Sequence, residues 1–153
     1  MSVLLHNNFD SGVTAAIVSL LGDWLRGLGL SASVREQATK DVQVGQEVVV
    51  SCTEIEEVVY NSGTYRVAME LTVKVDRATG TVQQFRDFGA ATLDFLQLDD
   101  LAAQLTALKD ATGRGLCVVD GTVINQSRME DVGDDTWRKV FAVDVFGCNP
   151  LAG

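Results

Sequence analysis

One histidine, His6, and three cysteines, Cys52, Cys117 and Cys148, are the chain's whole stock of imidazole and thiol chemistry. Serine–histidine or cysteine–histidine catalysis would have to recruit His6 from a terminal arm, whereas a working base is held in place by its neighbours. His6 is therefore expected to be a bystander. A structural zinc site needs four ligands at close spacing, and one histidine with three dispersed cysteines does not supply them. Gly113-Arg114-Gly115 lacks the Lys-Ser/Thr ending of a phosphate loop and reads as a helix stop and turn. Carboxylates pair at Asp99-Asp100, Glu130-Asp131 and Asp134-Asp135, and such pairs can hold a hard cation or do acid–base work. But Asp99-Asp100 stands where a helix start favours negative charge. The other four fall between two expected strands, where a solvated acidic turn is the ordinary case. Trp24 and Trp137 are expected in the core. No recognisable catalytic kit emerges; no catalytic residue, metal ligand or cofactor site is expected.

Composition sets the outer limits. At 153 residues, with 46% hydrophobic and 22% charged side chains, the chain fits one globular domain spanning 1–153. Its formal net charge is −9, which argues against a nucleic-acid-binding surface built from clustered Lys and Arg. An acidic wall would instead keep passing DNA from adhering. No stretch reaches the roughly 18 uncharged apolar residues of a membrane span, and the start has no basic region of a secretory signal. An odd, scattered cysteine set points to a reducing compartment. If the last two strands pair about a turn near Gly133, Cys117 and Cys148 fall nearly opposite, as two small buried apolar residues.

The clearest structural signal is residues 64–75. Tyr65, Val67, Met69, Leu71, Val73 and Val75 alternate with polar or small partners, the period of a strand with one buried face. Ahead of it, residues 47–60 are rich in β-branched side chains, with Val48, Val50 and Cys52 on one face and a bulge expected at Glu56-Glu57. Asn61-Ser62-Gly63 closes the hairpin. Near the start, Asp10 or Ser11 can cap a helix whose stripe is Val13, Ile17, Leu20, Leu21, Trp24, Leu25 and Leu28, with Gly29 as its stop. Residues 31–45 read as polar connection with room for a short extended piece. Thr81 caps a helical stretch that Gly89 interrupts; Asp99 caps another that Gly113 ends. Residues 116–124 and 137–147 read as the last two strands, joined by the polar, acidic stretch 125–136. The expected fold is α+β: two antiparallel hairpins forming one sheet, packed against an N-terminal helix and a helical crossover.

This order of helix, long hairpin (47–75), helical crossover (81–111) and closing hairpin (116–148) resembles the tail terminator proteins of long-tailed bacteriophages. The ending, a polar strand with Ser127-Arg128, an acidic turn, then Trp137-Arg138-Lys139-Val140-Phe141-Ala142-Val143-Asp144-Val145, looks like that family's closing hairpin. The resemblance lives in topology rather than in fixed residues, and head–tail connector and tail-completion proteins share parts of the layout. It implies a virion protein of the tail or neck, assembled in the host cytoplasm. It also implies a homo-hexameric ring that caps the tail tube, contacts the tube protein and the head–tail connector, and lets DNA pass without specific binding, with no enzymatic activity, cofactor or membrane. Interface residues are then expected at Glu130, Asp131, Asp134 and Asp135, in a loop that projects from the fold. The alternatives are another neck adaptor, or a cellular small-ligand-binding α+β domain with a deep apolar pocket.

Overall fold

The computed structural model describes residues 9–37, 46–58, 62–130 and 135–148, apart from the side chains of Gln126 and residues 128–130. Three helices and five strands run in the order α1 (Phe9–Gly27), β1 (Ser33–Glu36), β2 (Gln46–Glu57), β3 (Tyr65–Asp76), α2 (Val82–Leu96), α3 (Leu101–Ala107), β4 (Val118–Glu130) and β5 (Thr136–Cys148). The strands form one sheet in the order β1-β2-β3-β5-β4. Only β1 and β2 are parallel; the other pairs are antiparallel. The fold is α+β, with both hairpins in one sheet, joined through β3 and β5.

β3 is the middle strand, and its alternation organises what surrounds it. Val67, Met69, Leu71, Val73 and Val75 are buried on one face. Their cross-strand partners extend that face: Val48 and Val50 on β2, Phe141, Val143 and Val145 on β5. These side chains form a single core cluster with the buried residues of all three helices. The register leaves no choice, because a slip by one residue would turn the charged set inward.

α1 starts at Phe9, one residue before its expected cap. It buries Phe9, Val13, Ala16, Ile17, Leu21 and Leu25. Leu28 is 52% exposed rather than part of the stripe, because the helix has ended. Gly29 takes φ +77°; its N–H donates to Arg26 O at 3.0 Å, and the Leu30 N–H donates to Leu25 O at 3.0 Å. That double bond pattern is a Schellman stop, which favours glycine at the left-handed position. Gly12 permits close packing: a Cβ there would stand 2.0 Å from Leu116 O.

Several boundaries differ from the sequence expectation. β1 forms within the expected polar connection, with Val34 packed against the core and Arg35 opposite Val49. The β2 irregularity falls between Cys52 and Glu54 rather than at Glu56-Glu57; the extra residue is Thr53, whose hydroxyl donates to Ala68 O at 3.2 Å. Gly89 does not interrupt α2, which is continuous and held at its start by a reciprocal capping box between Thr81 and Gln84. Packing of Phe85, Phe88, Phe95 and Leu96 in the core outweighs the propensity cost of one glycine. Asp100, not Asp99, takes the N-cap position of α3, without a side-chain capping bond, and the helix ends at Ala107. Gly113, with φ +84°, belongs instead to a turn. β4 continues to Glu130, so the expected loop 125–136 is mostly strand. Bulges at Asp120 and Asn125 break its alternation, and that hid it from a period-two reading. Cys148 pairs with Val118, one position from Cys117, so the two cysteines lie nearly opposite as expected, but only Cys117 is buried.

The core account predicts the effect of one truncation. Leu21 is fully buried at the centre of the α1 stripe. Leu21→Ala is expected to destabilise the fold by about 2–5 kcal/mol, the range for a buried leucine, read as a shift in urea midpoint with an unchanged slope.

Candidate interaction surfaces

Every helix packs on the core face of the sheet, so the opposite face carries β3's other set: Arg66, Ala68, Glu70, Thr72, Lys74 and Asp76. Val49 and Val140 flank Thr72 there in the register. Both are buried, at 6% and 3% exposure, yet neither belongs to the core cluster. They form a short apolar strip between two ionic groups.

At one end of the strip, Glu47 is only 4% exposed. Its carboxylate accepts from Arg35 Nε at 2.8 Å and Nη2 at 3.1 Å, while Lys74 Nζ lies 3.7 Å away. One carboxylate thus ties β1, β2 and β3 together. At the other end, Arg66 Nε donates to Glu56 Oε1 at 2.7 Å and Nη1 to Asp144 Oδ1 at 3.1 Å. Glu54 Oε2 lies 3.4 Å from Nη2. The hydrogen bond that Arg66 donates to Glu56, then the charges of Glu56 and Asp144, raise the guanidinium pKa above its ordinary value. Three carboxylates around one cation leave this end acidic.

The second surface is a groove of about 430 Å³ between α2 and β5. Phe85, Gly89, Leu93 and Trp137 give it an apolar lining, with Val82, Ala90, Arg86 and Lys139 around them. Trp137 stacks on Phe85 at 6.2 Å between centroids and carries the Arg77 guanidinium 5.2 Å from its ring. Trp137 is therefore only partly the core residue expected. Trp24 fits that expectation better: its Nε1 donates to Ala91 O at 2.9 Å and its ring meets Phe95.

His6, Asp131 and Asp134 lie outside the described residues, as does the Glu130 side chain. The backbone of Glu130 pairs with Arg138 at the end of β4. Asp135 is exposed just before β5, its carbonyl accepting from Arg77 N at 2.7 Å. Asp100 Oδ1 accepts from Gln104 Nε2 at 2.9 Å. The Gly113-Arg114-Gly115 segment is organised by Asp110, whose Oδ1 accepts from the Thr112 hydroxyl at 2.6 Å, Thr112 N at 2.8 Å and Arg114 N at 3.0 Å. These bonds, the hydroxyl's first, lower the Asp110 pKa. Its acceptor oxygen is used in an internal turn. A polar cleft of about 360 Å³ beside the start of α1 holds Asp10, Glu36 and Cys52. Among the described residues, no three His, Cys, Asp or Glu side chains converge as metal ligands would. All three cysteines are free. Burial pushes the Cys117 thiol up to about 11, so it stays protonated at neutral pH.

The arrangement can pair charges and bury apolar side chains; among the described residues it assembles no nucleophile with a base. The Arg66 cluster was missed in the sequence because Glu56 and Asp144 sit 10 and 78 positions from Arg66, joined by a register readable only after strand order was known. The groove was missed because it needs α2 laid against β5.

No protein-family model matches the chain, and no curated protein matches it. Among solved structures, it is similar to a chain from the virion of a native gene transfer agent particle. The TM-score is 0.56 at 16% identity, over 90% of this chain and 98% of that one. The two share a fold.

The ionic end of the open face is testable. Glu47→Ala leaves Arg35 and Lys74 facing each other without their carboxylate. The loss is expected to be about 1.5–3 kcal/mol, the range for hydrogen bonds to charged groups, measured by chemical unfolding. A loss within ±0.3 kcal/mol would place the group among inconsequential surface pairs.

Proposed function

We propose that this chain is a structural protein of a phage-like virion, and within it a tail terminator. It forms a homo-hexameric ring that caps the tail tube and joins it to the head–tail neck. The observation that carries the reading is the fold shared, over nearly the full length of both chains, with a protein from a gene transfer agent virion. The element order that resembles tail terminators points to the same class.

The surfaces suit such a role. One sheet face carries no described helix and has charged groups, around Glu47 and Arg66, at either end of a buried apolar strip. The long β4 lies at the sheet edge, and an edge of this length is a site for pairing unless it is covered. Contacts between unlike patches close into rings when the rotation permits. The net charge of −9 suits a conduit through which DNA slides without sticking. On this reading the protein performs no catalysis and needs no cofactor. Its working residues are interfacial, with Glu130, Asp131, Asp134 and Asp135 contacting a neighbouring subunit, the tube or the channel.

Light scattering on the purified chain, alone and with the tail tube protein of the same particle, tests the ring. Six copies are expected in at least the second sample; a monomer in both would exclude the proposal. Replacing Glu130, Asp131, Asp134 and Asp135 together by Asn or Ser should leave the melting temperature nearly unchanged. It should lower the yield of joined, infectious particles. Single exposed ion pairs contribute only about 0–1 kcal/mol, so the loss is expected from the four together.

A further inference from the structure

We propose that the groove between α2 and β5 receives the acidic hairpin end, residues 129–135, of a second copy of this chain. The inference rests on the ring reading and names the contact that would build the ring.

The groove is unusual for this molecule. Acids outnumber bases 21 to 12 in the chain, yet no carboxylate of the described residues lines the groove, while Arg86 and Lys139 do. A third cation, Arg77, lies over the Trp137 ring. The lining itself is apolar, and Val82 at its margin is 43% exposed. An occupant must therefore bring apolar side chains and negative charge in one short segment. Of the chain's segments of this kind, Glu54-Ile55-Glu56-Glu57-Val58 already pairs Glu54 and Glu56 with Arg66, and Leu98-Asp99-Asp100-Leu101 buries its Leu101, which leaves Met129-Glu130-Asp131-Val132-Gly133-Asp134-Asp135. Its two apolar residues stand among four carboxylates. Val132 or Met129 would fill the space over Leu93 and Trp137, and the carboxylates would meet Arg86 and Lys139. Such complementarity selects partner and register, and opposes pairing of like-charged faces. Donor and acceptor are different patches, so each subunit can give one contact and take one, as a closed ring requires.

The test is a directed cross-link. Ala90→Cys places a thiol at an exposed groove position and Asp134→Cys places one on the hairpin end, in a chain with Cys52→Ser and Cys148→Ser and the buried Cys117 kept. Mild oxidation of the assembled protein, with tube protein where assembly needs it, is expected to give a covalent ladder of chains reaching six. Either single-cysteine variant should give none. Arg86→Glu, at an exposed site, should weaken assembly by at least about tenfold without changing the melting temperature. Mixing it with Asp131→Lys/Asp134→Lys should restore assembly. A ring of normal mass with no ladder, or a link closed within one chain, would overturn the groove contact and leave the ring standing. Failure of the unmodified chain to form a ring with tube protein would remove the proposed function, and this contact with it.

Discussion

The alternation of β3 is the constraint on which the rest depends. A strand at the centre of a five-stranded sheet is paired on both edges, so only its faces can vary. Val67, Met69, Leu71, Val73 and Val75 commit one face to the core. Arg66, Glu70 and Lys74 commit the other to charge. The three helices can then bury their stripes on one side only. That single-sidedness is what makes the molecule asymmetric: a packed layer of helices on one face, a charged sheet on the other. The ionic groups around Arg66 and Glu47 stitch neighbouring strands across the open face, where no described helix does so.

The same asymmetry explains where contact surfaces occur. α2 covers part of β3 and β5, and α3 covers the start of β4, through Thr106 and Val119. The stretch of β5 at Trp137 and Lys139 is left at the margin of α2, and the apolar groove forms there. A long edge strand and a cation-bearing groove are features that a lone subunit would leave wet, and a ring of the proposed kind would cover them.

The sequence made the inner elements legible and the outer ones much less so. β3, the α1 stripe and the Thr81 cap each follow from local pattern, because burial on one face imposes a period. Gly29 was readable for the same reason: a helix stop favours a left-handed residue. β1 showed only as room for a short extended piece within 31–45, because four residues of an edge strand hold too little pattern. The distal half of β4 was missed because bulges at Asp120 and Asn125 shift its register and both its faces carry polar residues. Gly89 misled because its helix is held by packing rather than propensity. The acidic residues of the last hairpin were visible as charge, but the groove offering them a counterpart was not. Arg77, Arg86, Trp137 and Lys139 come together only when α2 lies across the sheet.

The central claim is that this chain works as one member of a ring at the top of a tail. The most direct measurement is a reconstruction of the particle that contains it, without imposed symmetry, locating the chain by its fold. The account predicts six copies at the head-proximal end of the tail tube, with open sheet faces or hairpin ends lying between neighbours. A single copy, or copies placed in the capsid shell or along the tube, would contradict it.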